Sequence, residues 1–168
     1  MAGFVLLNLS VLNYSVESRR LGDTPIATSI RSKPAASTLA ERQQASRELA
    51  SLAAQACADL KGKDSLVLDM TLVTPIVDFF VVTTATSGRQ MRAIAEEVEQ
   101  LMKKRGSRPR VGVEGRDSET WILQDYGDIV LHVFSPDGRE LYDLEHLWAD
   151  APQVDWKPLA KKLADSEK

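Results

Sequence analysis

One cysteine, two histidines and no long apolar run set the first limits on this 168-residue chain. The lone Cys57 excludes an internal disulfide. With no second Cys or His at ligand spacing, there is no zinc pattern, and no metal or cofactor is expected. A reducing compartment, the cytoplasm, is the expected location. No stretch approaches the roughly 20 apolar residues that cross a bilayer. The Walker loop, the GxGxxG turn and the G-x-S-x-G elbow are all missing. His132, inside an apolar stretch, and His146 read as structural or surface histidines, and Cys57, among alanines and leucines, as a small buried hydrophobe.

Net charge is small, at −3, but charge is unevenly placed. Residues 41–150 hold 13 basic and 19 acidic side chains, whereas the segments on either side are slightly basic. Wrapping nucleic acid requires Lys and Arg to displace counterions, so direct sequence-specific nucleic-acid binding is not expected. An acidic body is better suited to a basic protein partner.

With 43% hydrophobic and 27% charged residues, the composition is that of one ordinary globular domain. Residues 1–37 show no sustained period. Their arginines and few acids fit a transit peptide or an over-long start, and the expectation is a disordered leader outside the fold. Thr38-x-x-Glu41 has the capping-box pattern and opens a helix whose Leu49, Leu52, Ala53, Ala56 and Leu60 recur at helical spacing. Strands are expected over 65–70 and 78–85. Ser87-x-x-Gln90 begins a second helix with Met91, Ile94, Ala95, Val98, Leu101 and Met102 as its apolar stripe, ending at Gly106. A Gly-rich link leads to strands over 120–125 and 128–134, an Asp137-Gly138 turn, and a helix over 139–148. The strands FFVV and IVLHVF do not alternate, which predicts cover on both faces. The expected fold is α/β, a small mixed sheet flanked by helices, with a domain over 38–150 and a polar tail over 151–168 that holds a short helix near Leu159–Leu163.

Two stretches could carry chemistry or recognition. Thr86-Ser87-Gly88 at a helix start could hold a phosphate. Metal-dependent nucleotidyl transfer, however, needs paired carboxylates on a strand, and Asp69, Asp78, Asp125 and Asp128 offer no D-x-D pair. The second stretch is TWILQDYGD. If Ile122 faces the core, Trp121 and Asp125 share the opposite face beside Tyr126, forming an apolar anchor with steering charges. Equally, Trp121 could fill a gap beneath a helix.

An ordered set of segments now bears on that choice. It comprises Leu60-Lys61-Gly62; Asp78-Phe79-Phe80-Val81-Val82 with Thr86-Ser87; Gly112-Val113-Glu114-Gly115; Trp121-Ile122-Leu123 with Asp125-Tyr126-Gly127-Asp128; Leu131-His132-Val133-Phe134; and Arg139-x-x-Tyr142-x-Leu144-Glu145-x-Leu147-Trp148. Together, from about Leu49 to Trp148, these resemble the ribosomal silencing factor family, also called Iojap-related. The resemblance implies a nucleotidyltransferase-like fold without the catalytic carboxylates and a translation factor that is not an enzyme. It also implies binding to the large ribosomal subunit through its fourteenth-numbered protein, blocked joining of the small subunit when nutrients are short, and tolerance of a weak homodimer. The partner-binding residues it implies are Trp121, Asp125, Tyr126, Gly127 and Asp128. Ala85 and Gln90 depart from the Gly and His usual in the family. A metal-dependent nucleotidyltransferase-like enzyme and a ribosome assembly scaffold are the alternatives.

Overall fold

The computed structural model describes residues 38–106 and 109–166, so the expected leader lies outside the described residues. The first helix, α1 (Leu39–Asp59), begins where the capping box predicts. Thr38 Oγ1 accepts from the Glu41 amide at 3.2 Å, and Glu41 Oε2 accepts from the Thr38 amide at 2.7 Å. This reciprocal pair satisfies two amides that a helix start leaves free. Thr38→Ala is therefore expected to cost about 1 kcal/mol in urea denaturation, and unchanged stability would show that this end contributes nothing.

The buried face of α1 is smaller in side-chain volume than the leucine spacing suggests. Ala50, Ala53, Ala54 and Cys57 are fully buried, while Leu52, Ala56 and Leu60 lie at the flank. Small side chains let the helix approach its neighbours closely.

Strands β1 (Lys63–Asp69) and β2 (Phe79–Thr84) pair antiparallel, and α2 (Gly88–Gly106) follows. Ser87 caps α2 by accepting from the Gln90 amide at 3.2 Å. The Gln90 side chain does not complete the box. Its Oε1 accepts from the Thr86 amide and hydroxyl, and its Nε2 donates to the Leu60 carbonyl at 2.9 Å, tying the turn to the end of α1. Met91, Ile94, Ala95, Val98 and Met102 form the expected buried stripe.

The Gly-rich link holds a strand that sequence reading missed, β3 (Gly112–Glu114). It precedes β4 (Trp121–Asp125) and β5 (Ile129–Phe134). The sheet order is β1-β2-β5-β4-β3, antiparallel except for the β2–β5 pair. This is the mixed sheet expected.

The last expected helix is broken in two, α3 (Pro136–Tyr142) and α4 (Leu144–Leu147), because Asp143 adopts φ 40° in the left-handed region. Asp137 and Gly138 belong to the first turn of α3, capped by Ser135, rather than to a separate turn. The segment after Asp150 also departs from the expected polar tail. The Val154 amide donates to the Val67 carbonyl and the Asp69 amide to the Pro152 carbonyl, covering the free edge of β1. The short helix expected near Leu159–Leu163 is α5 (Trp156–Asp165), longer than expected and packed on α1 with Trp156 and Ala160 buried. Trp156 Nε1 donates to the Ser65 carbonyl at 3.1 Å. Two prolines and many lysines disguised this segment, whose burial rests on a few well-spaced apolar residues.

The sheet thus has two unlike faces. On the inner face Val67, Phe79, Val81, Ile122, Ile129, Leu131 and Val133 meet α1 and α2 in the main core. On the outer face Phe80, Val82, Phe134 and Val130 meet the 70–78 loop, Leu144 and Trp148. Cover is incomplete there. β4 alternates, with Ile122 and Gln124 buried and Trp121, Leu123 and Asp125 half-buried.

Candidate functional site

β4 and β5 form a hairpin whose turn is Tyr126-Gly127-Asp128, closed by the Tyr126 amide donating to the Ile129 carbonyl at 2.9 Å. Gly127 takes φ 90°, which glycine adopts without steric cost. Asp125 Oδ1 accepts from the Gly127 amide at 2.7 Å, an Asx turn. One acid of the corner therefore has a turn-forming role, which leaves its second carboxylate oxygen available for other work.

The five residues that the resemblance assigns to the partner surface do not share one face. Trp121 and Asp125 lie on the outer face with Leu123 between them. Tyr126 turns inward and is 4% exposed within the main core. Its hydroxyl donates to Gln124 Oε1 at 2.8 Å, and burial first, then the Glu99 carboxylate, raises its pKa. The expectation that Tyr126 stands beside Trp121 on the surface is thus corrected. After the Asx turn, the strand reversal points the ring beneath α2. Asp128 also leaves the outer face, since its carboxylate accepts from the Ser46 hydroxyl on α1. Gly127 is exposed at the tip.

Trp121 itself lies in an aromatic stack. Its ring is 5.3 Å from Phe134 and 5.7 Å from His132, both nearly parallel, and 4.6 Å from Tyr142 of α3. The ring fills space beneath α3 and remains partly exposed. His132 is buried with neither ring nitrogen hydrogen-bonded, and Trp121 Nε1 is likewise buried without an acceptor. Desolvation lowers the His132 pKa to about 3, so the ring is neutral. Cys57 is buried as expected, and desolvation raises its thiol pKa to about 12.

Large apolar side chains are exposed elsewhere on the described residues. Leu141 and Leu147 on α3 and α4 are 77% and 57% exposed, and Leu72 and Ile76 in the 70–78 loop are 91% and 51% exposed. Exposed apolar side chains, where they gather into one patch, mark interaction sites. None of these three leucines and one isoleucine was singled out as a contact by sequence reading. Their signal is exposure, which only the fold reveals. Among the described residues no three His, Cys, Asp or Glu side chains gather as a metal-binding group, and no helix is long and apolar enough to cross a membrane.

Fold and surface together define a small mixed-sheet α/β protein, with α1 and α2 over one sheet face and α3 and α4 partly covering the other beside an aromatic, acid-edged surface. The chain belongs to the family described as "Ribosomal silencing factor during starvation", which matches residues 43–168. Over 109 residues it is 38% identical to the ribosomal silencing factor of Bacillus subtilis, covering 65% of this chain and 92% of that one. A crystal structure of a Chromobacterium violaceum protein is similar at 40% identity and a TM-score of 0.58, covering 61% of this chain and 85% of that one. A more distant relative is the mouse protein named "Mitochondrial assembly of ribosomal large subunit protein 1". It is 34% identical over 88 residues, which cover 51% of this chain and 39% of that one.

Proposed function

We propose that this protein is a translational repressor that binds the large ribosomal subunit and sterically blocks joining of the small one. Its contact would be the subunit's fourteenth-numbered protein, and its action would require no turnover. Family membership supports the ribosomal reading. The observation that carries the docking reading is the outer face of β4, where Trp121, Leu123 and Asp125 are partly exposed side by side and Trp121 meets Tyr142 of α3, whose chain neighbour Leu141 is exposed. Specific complexes bury about 800 Å² per partner, an area within reach of a domain this size. The contact set is narrower than the resemblance implies. Trp121, Asp125 and the Gly127 tip are proposed to meet the partner, whereas Tyr126 and Asp128 hold the hairpin from beneath.

The test is cosedimentation of purified protein with separated large and small subunits, together with light scattering of subunit joining. Comigration with the large subunit and suppressed joining are expected. Protein left at the top of the gradient across a range of salt would overturn the proposal. The mouse relative's name supports a second reading, an assembly scaffold. That reading predicts binding to large-subunit precursors with joining of mature subunits unaffected.

Asp125→Asn isolates the role of charge. The amide oxygen can still accept from the Gly127 amide, so the turn survives while the charge is lost. If Asp125 steers a basic partner, the association rate should fall several-fold and its salt dependence flatten, with dissociation unchanged. Stopped-flow binding reads both rates. A change confined to dissociation would place Asp125 in a buried pair.

A further inference from the structure

We infer that the cleft between the β3–β4 connection and α3 receives one basic side chain, lysine or arginine, from the protein partner of the outer face. This rests on the docking reading and adds two residues, Glu114 and Tyr142, to the contact set. Glu114 and Leu123 are opposite one another in the β3–β4 ladder, so both side chains rise from the same face. Trp121, two residues before Leu123, shares that face. Tyr142 at the end of α3 leans over Trp121 with its ring tilted by 48°. With Gly115, Ser118 and Thr120 these residues enclose a cleft of about 120 Å³.

Size and chemistry both narrow the occupant. Sites for drug-sized molecules run to about 300–1,000 Å³, so this cleft suits a single side chain. Gly115 adopts φ 66°, and a Cβ there would fall 2.1 Å from the Trp121 carbonyl, so the wall is bare backbone held tight against β4. Two aromatic rings, a carboxylate and a leucine are the groups that a long cationic side chain needs. The ring faces attract the cation, the carboxylate pairs with it, and Leu123 packs along the aliphatic stem. Glu114 has no ion pair or hydrogen bond among the described residues to occupy it. An acidic side chain would be repelled by Glu114. An apolar one would desolvate the Glu114 carboxylate without compensation.

The test measures affinity for the large subunit over a salt series with the full chain and four variants, each checked for an unchanged melt. Glu114→Gln is expected to weaken binding roughly tenfold and to flatten its salt dependence. Tyr142→Leu should weaken it to a similar degree, whereas Tyr142→Phe, which keeps the ring, should bind within about twofold of the parent. Asp117→Asn, on the same loop but outside the cleft, should also bind within about twofold. If Glu114→Gln binds like the parent, or Asp117→Asn loses as much as Glu114→Gln, the cleft is not a receptor and the docking reading stands without it. If the parent protein fails to bind, the docking reading falls and the receptor falls with it.

Discussion

Trp121→Ala is expected to weaken large-subunit binding by roughly 2 kcal/mol or more, about thirtyfold, and to lower the stability of the free protein as well. Both effects follow from its position. The indole packs on Phe134, His132 and Tyr142, so truncation opens a cavity beneath α3, and it is partly exposed on the strand face that also carries Leu123 and Asp125. Removing a fully buried large aromatic costs about 3–5 kcal/mol, and a half-exposed one should cost less. The two effects separate if affinity is measured where urea denaturation shows both proteins fully folded. Trp121→Phe provides the control, since it retains much of the stack while reducing the surface offered to a partner. A folded Trp121→Ala protein that binds with parental affinity would make this tryptophan a packing residue only. The docking surface would then have to centre on Leu141 and Leu147.

The second large effect is pH dependence governed by His132. Burial holds its folded-state pKa near 3, against an ordinary value of 6.5. A histidine whose folded pKa is depressed contributes stability that is fully present above the unfolded pKa and is lost as pH falls toward the folded one. Loss should therefore begin near pH 6.5 and continue toward pH 3, at about 1.4 kcal/mol per pH unit, reaching about 3 kcal/mol by pH 4. Carboxylates add their own slope. Glu99 is one, since hydrogen bonding from Lys103, with Arg110 nearby, lowers its pKa. The difference between parent and His132→Leu isolates the histidine. Both ring nitrogens are buried without partners, so this substitution should raise stability at pH 7.5 by roughly 1–2 kcal/mol and flatten the acid slope. Equal slopes in the two proteins between pH 7 and 4.5 would show that the imidazole is solvated in the native state. The expected gain also implies that a polar residue is kept here at a stability cost. Its nearest ring neighbours are Phe80 and Trp121, which places that cost directly beneath the proposed docking surface.

How much of this was legible in advance depends on whether a feature is local. The capping box at Thr38 was readable because both partners lie within four residues. The α2 stripe was readable because helical periodicity survives in one dimension. The break at Asp143 was not, because a left-handed aspartate leaves no mark in an otherwise continuous helical pattern. β3 was missed because three residues opening with glycine carry too little periodicity, and the strand exists only through its pairing with β4. The segment 151–166 was misread for a related reason. Its prolines and lysines describe its solvent side, while its place in the fold depends on hydrogen bonds to β1 and on packing against α1.

The candidate site divides along the same line. The sequence alone determined that a tryptophan and two acids flank a Gly turn, and that Trp121 and Asp125 fall on one face by strand alternation. Alternation stops at the turn. Beyond it, tertiary structure decided that Tyr126 enters the core and that Asp128 reaches Ser46 on α1, 82 residues away in sequence. Tertiary structure also brought Glu114 and Tyr142 to Trp121, and left Leu72, Ile76, Leu141 and Leu147 uncovered. A pattern along the chain specifies which side of its own element a residue occupies. Which residues of other elements stand opposite, and which apolar side chains remain exposed, are set by how the finished layers pack.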